Sequence, residues 1–104
     1  MTSKQRAFLR SLASTEHAIF QIGKGNVGEE AVKQIGNALE ARELVKVSVL
    51  ETSELSAREA AELVAEGTSS EVVATIGNKF ILYKESSNKS KRKIDLKNLK
   101  LLDK

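Results

Sequence analysis

The sequence predicts a compact α/β domain of order α-β-α-β-α-β-β, with a four-stranded mixed sheet packed against helices. Three observations predict it. Apolar residues recur at helical spacing in three separate stretches, and short apolar or alternating runs lie between them. The last two of these runs are separated by Gly77-Asn78 alone, a two-residue hairpin signal. At 104 residues the chain is read as one domain, since domains cluster around ~100–150 residues.

Residues 4–13 read as a short amphipathic helix. Phe8 and Leu12 are four apart, Leu9 and Ala13 lie beside them, and Lys4, Arg6 and Arg10 fall on the polar side. Ala18 to Ile22 is a short, mostly apolar strand. A second helix is expected from about Glu29 to Glu43, with Ala31, Val32, Ile35, Ala38 and Leu39 on its apolar stripe and Arg42 at the stripe's edge. Val45, Val47 and Val49 alternate with Lys46 and Ser48, which predicts a second strand. Ser56 with Glu59 three residues later is a capping box for a third helix, and Gly67 is its expected stop. Val72–Ile76 and Lys79–Lys84 form the hairpin. Right-handed crossovers should place the first three strands in one sheet, with the fourth returning antiparallel. Residues 86–104 are polar and basic, and they read as a mobile tail on a domain of residues 1–85.

Composition narrows the function. With no cysteine and one histidine, His17, thiolate chemistry and His-based zinc sites are excluded, and no metal or other cofactor is expected. The first twenty residues lack an apolar core, so no signal peptide is expected, and no run approaches the ~18 apolar residues of a membrane span. A cytoplasmic protein without a membrane partner is the expectation. The net charge of +3 is unevenly spread: residues 1–22 carry +2, residues 51–83 carry −4 and residues 84–104 carry +5. Such a layout suits a polyanion on one face.

The most unusual stretch is Gly23-Lys24-Gly25-Asn26-Val27-Gly28, between the first strand and second helix. Glycines permit close backbone approach, and free N–H groups at a helix start favour an anion. Gly23, Gly25 and Gly28 spell G-x-G-x-x-G, and Glu51 follows the second strand, so a small dinucleotide-binding protein is one reading. Against it, the chain lacks room for the second half of a dinucleotide site and offers no catalytic constellation. A phosphate-binding P-loop is excluded because Glu29, not Lys, follows Gly28. The other reading takes Gly23-Lys24-Gly25-Asn26 as a G-x-x-G-like element of the kind that clamps RNA backbone in KH modules.

Four blocks in order carry a family resemblance: Lys4-Gln5-Arg6-x-x-Leu9-Arg10, Ile22–Val27, Ala38–Val47 and Ile76–Lys84. Over about residues 4–85 the chain resembles the CRM domain (chloroplast RNA splicing and ribosome maturation) in its stand-alone bacterial YhbY-like form. The resemblance implies a fold similar to the C-terminal domain of translation initiation factor three. It also implies RNA binding, with precursors of the large ribosomal subunit as the partner. The family's loop usually ends in glycine where this chain has Asn26, the non-glycine residue most at ease in the left-handed region.

The candidate RNA-binding residues are Gly23, Lys24, Gly25 and Asn26 in the loop, with Lys24 first because its charge adds to a backbone already suited to anions. Arg42 and Lys46 follow because the matched blocks carry them, and Lys4, Arg6, Arg10 and Lys84 widen the basic surface. Phe8, Phe20 and Phe80 fall at apolar positions and are expected in the core, so backbone and shape, more than stacked bases, should dominate recognition. The expectation is a monomeric RNA-binding protein with no catalytic activity and no DNA partner.

Overall fold

The computed structural model describes residues 1–25 and 27–102. Helix α1 (Ser3–Ala13) leads through a loop to β1 (Phe20–Ile22), α2 (Glu29–Arg42), β2 (Leu44–Val49) and α3 (Ala57–Thr68). The hairpin β3 (Glu71–Ile76) and β4 (Lys79–Tyr83) follows, then a 3₁₀ turn (Lys89–Lys91) and a small ladder of β5 (Ile94–Asp95) with β6 (Lys100–Leu101).

The main sheet runs β1-β2-β4-β3, with β1 parallel to β2 and β4 antiparallel to both its neighbours. The sheet is mixed, as the sequence predicts, and β4 lies between β2 and β3. The reason is burial. Phe80, Ile81, Leu82 and Tyr83 are all buried, so β4 is apolar on both faces and needs cover on both. Phe80 and Leu82 join Val45, Val47 and Val49 of β2 against α2 and α3. Ile81 and Tyr83 face the other way, against Leu9 and Ala13 of α1. The domain therefore has three layers. Burial and the nearby carboxylates of Glu43 and Glu85 push the Tyr83 phenol up to about 12.

Helix boundaries follow local chemistry. Thr2 with Gln5 and Ser56 with Glu59 form complete capping boxes on α1 and α3. The amide and hydroxyl of Ser56 hold the Glu59 carboxyl below the ordinary value. α2 ends one residue earlier than the sequence predicts, because Glu43 turns to a φ of 67°. Gly67 does not stop α3, which continues to Thr68 and ends on Ser69 at φ 56°, ψ 40°. Gly67 is there for packing: a Cβ at that position would stand 2.9 Å from Cγ1 of Val32 on α2. Gly77, at φ 59°, supplies the left-handed turn of the hairpin.

The segment beyond residue 85 departs from the expected mobile tail. Through residue 102 it lies against the domain, with Ser86 and Ile94 buried and Ile94 in the α1-side core. Oε1 of Glu43 accepts the amides of Lys93 and Ile94, and Oε2 accepts that of Ser86. Glu40 accepts the amides of Ser87 and Asn88 and the hydroxyls of Ser86 and Ser87. The Ser87 hydroxyl, first among these donors, holds the Glu40 carboxyl below its ordinary value. Polar composition hides this seat because the anchors are carboxylates on α2 taking backbone amides.

Candidate nucleic-acid interface

The loop joining β1 to α2 lies at one end of the sheet. Ile22 accepts the Leu50 amide at 2.8 Å, which fixes β1 to the chain leaving β2. Gly23 follows at once, and a Cβ there would meet Oγ1 of Thr52 at 3.2 Å and Cδ1 of Leu50 at 3.5 Å. Close approach within the protein thus accounts for Gly23. It does not account for Gly25 or Gly28. A Cβ at either would meet nothing among the described residues within 4 Å, and neither has a positive φ. At these two positions the backbone is exposed and carries no side chain.

Gly28 is the N-cap of α2 at φ −105°, ψ 178°, and has no side chain to cap the helix. The first-turn amides therefore lack the hydroxyl partner that Thr2 and Ser56 give to α1 and α3. Gly28, Glu29 and Glu30 are exposed, and Lys24 stands exposed on the turn before them. Helix dipole and lysine together favour an anion here, while Glu29 and Glu30 oppose one and direct it toward Lys24. Asn26 lies outside the described residues.

The remaining basic candidates do not converge on this loop. Arg42 ends α2, about 20 Å away by helix rise, where it is exposed beside a cleft lined also by Leu12, Leu44 and Lys93. Lys4 and Arg10 are exposed on α1, across the sheet from α2. Arg6 is not part of a free basic face. Its guanidinium donates to the carbonyls of Val72 and Val73, where β3 bulges. Lys84 is likewise engaged, donating to the Thr68 carbonyl at the end of α3 at 3.1 Å. Lys46 reaches the Glu16 carbonyl at 3.3 Å. Tyr83 is buried and offers no stacking surface. Lys79 and Gln21, which no local pattern singles out, flank the loop's end of the sheet, and strand register is the signal that finds them.

The geometry also bears on a dinucleotide. β1-α2-β2 is a parallel unit with the right glycine spacing, yet β2 is followed in the sheet by antiparallel β4. The second parallel half that completes such a site is not built on β2.

Comparison with known proteins places this chain in a family. The CRS1 / YhbY (CRM) domain model matches residues 1–84. The chain is 50% identical over 96 residues to the probable RNA-binding protein YqeI of Bacillus subtilis, covering 92% of this chain and 98% of that one. It is 29% identical over 86 residues to an RNA-binding protein of Haemophilus influenzae, covering 83% and 87% respectively. Among solved structures, the hypothetical protein SAV1595 from Staphylococcus aureus superposes with a TM-score of 0.73 at 46% identity, covering 86% of this chain and 93% of that one. With the three-layer fold and the glycine loop described, the conclusion is direct: the chain belongs to the CRS1/YhbY (CRM) domain family.

Proposed function

We propose that this protein binds RNA, gripping the sugar–phosphate backbone at the loop between β1 and α2. The observation that carries the reading is the open backbone at Gly25 and Gly28, beside Lys24 and at a helix start whose N-cap residue has no capping side chain. Phosphate oxygens accept hydrogen bonds from such amides, and Lys24 adds charge without a partner of its own among the described residues. Family membership and the names of the relatives from two bacteria support RNA as the partner. The specific RNA we propose is that of the large ribosomal subunit precursor, bound during assembly by a monomeric cytoplasmic protein that performs no catalysis. Sedimentation of cell extract tests this. The protein should co-migrate with large-subunit precursor particles at low salt and leave them as salt is raised. Sedimentation as free protein at every salt concentration contradicts the assembly role.

A further inference from the structure

The glycine loop adjoins a part of the sheet that no helix covers. The register sets Gln21 beside Ser48, Ser48 beside Lys79 and Lys79 beside Ile76, one row across all four strands. Paired residues project from the same face. Lys79 shares its face with Ile81 and Tyr83, which pack against α1. The apolar side of α1 meets Leu44, Val73, Ala74, Ile81 and Tyr83 and stops short of the row nearest the loop. Gln21 is exposed there, Ile76 is 52% exposed, and Lys79 is half-buried with its ammonium donating to the exposed Oδ1 of Asn78 at 3.3 Å. Ser48 is buried between its longer neighbours.

This row has a definite chemical character. It carries a cation, two groups that donate and accept hydrogen bonds, one large exposed aliphatic and no acid. Protein interfaces are depleted in lysine and rich in aromatic anchors at their centres, and this row has the opposite make-up. Its width is about 14 Å at the ordinary strand spacing, enough for a short run of nucleotides. Gln21 lies two residues before Gly23, so a chain leaving the loop meets the row at once. Glu51, on the segment leading to α3, shares a cleft with the Gly77-Asn78 turn at the end of the row and is its nearest acid.

We propose that the row Gln21–Ser48–Lys79–Ile76 is a second part of the RNA site and takes a single-stranded stretch leaving the glycine loop. Lys79 holds a phosphate, Ile76 packs on a sugar or base, and Gln21 and Ser48 hydrogen-bond to base edges, which sheet platforms reach in unpaired RNA. The inference rests on the RNA reading of the loop.

Fluorescence anisotropy on the full chain tests it, with a labelled mixed-sequence single-stranded RNA and a duplex of equal length. Lys79→Ala should weaken single-strand binding roughly fivefold and lower the salt slope by about 0.7, one phosphate contact. Ile76→Thr, which keeps a strand-forming residue, should weaken binding with the slope unchanged. Lys97→Ala, at an exposed position on the C-terminal segment, should change affinity little, and circular dichroism should show all variants folded. If Lys24→Ala weakens binding while Lys79→Ala and Ile76→Thr do not, the row is not contacted and the loop reading stands alone. If Lys24→Ala also binds as wild type, both fall. Tighter binding of the duplex overturns the single-stranded assignment.

Discussion

The amide of Ser86 donates to Oε2 of Glu43 at 2.8 Å, and both residues are fully buried. Glu43 is the residue on which α2 ends, and its left-handed φ aims the carboxylate into the gap between α2 and the C-terminal segment. The same side chain takes the Lys93 amide at 2.6 Å and the Ile94 amide at 3.1 Å, while its carbonyl takes the Lys84 amide at 2.9 Å. One carboxylate thus fastens both ends of an excursion that lies along α2 and ends with Ile94 in the α1-side core.

Replacing this carboxylate should loosen the segment. Glu43→Gln leaves an amide group facing a buried N–H, and a loss on the order of 2–3 kcal/mol is expected by chemical denaturation. Glu43→Gly relieves the positive φ but leaves three amides without their acceptor, so it too should destabilise. Hydrogen exchange at Ser86, Lys93 and Ile94 should quicken in both variants. A Glu43→Gly protein as stable as the parent would show that conformation, and not the hydrogen bonds, governs this position.

Arg6 and Lys24 should behave oppositely. Arg6→Ala leaves the carbonyls of Val72 and Val73 without their partner and should lower stability by about 1–2 kcal/mol, with the affinity of the folded protein for RNA little changed. Lys24→Ala, at an exposed turn position, should reduce RNA affinity with thermal unfolding nearly unmoved. Thermal melts paired with RNA titrations check both.

Two helical glycines should also part. A Cβ at Gly36 would meet Cγ2 of Thr68 at 3.6 Å, ordinary contact, so Gly36→Ala should stabilise by about 0.5–1 kcal/mol. At Gly67 the added carbon would press on Val32 at 2.9 and 3.1 Å, and a valine in a helix has little rotamer freedom to yield. Gly67→Ala should destabilise by about 1–2 kcal/mol. Urea midpoints of the two single variants decide this.

Tyr83 sets an alkaline limit. Its phenol is raised from 10.0 to about 12 in the folded chain, so folding favours the neutral form. That contribution is fully present below the unfolded value and is lost as pH rises through about 12. Phenolate absorbance should rise near pH 12 together with unfolding, and Tyr83→Phe should shift the unfolding transition to higher pH.

Local patterns were legible where one residue type does one job. The capping boxes, the Gly77-Asn78 turn and the valine alternation of β2 each state their structure in a few neighbouring residues. The apolar run Phe80–Tyr83 also held the information that β4 is central, since both faces need cover, although chain order alone says nothing about which strand it parts. Three things were not legible. Gly67 looks like a helix stop unless the approach of Val32 from α2 is known. Arg6 and Lys84 look like free cations because their carbonyl partners, on β3 and at the end of α3, are distant in sequence. The seat of residues 86–102 depends on Glu40 and Glu43, whose hydrogen-bonding roles appear only after folding. Of the candidate site, the loop around Lys24 could be read from spacing, whereas the row through Lys79 needed the strand register.

In the proposed function, the main-chain amides that open α2 hold the RNA backbone. Amide chemical-shift mapping by NMR during titration with single-stranded RNA tests it most directly. The largest shifts should fall on Gly23, Lys24, Gly25 and the amides of Gly28, Glu29 and Glu30, and they should shrink as salt is added. Shifts confined to the polar face of α1 or to residues 86–102, with the loop amides unmoved, would contradict it.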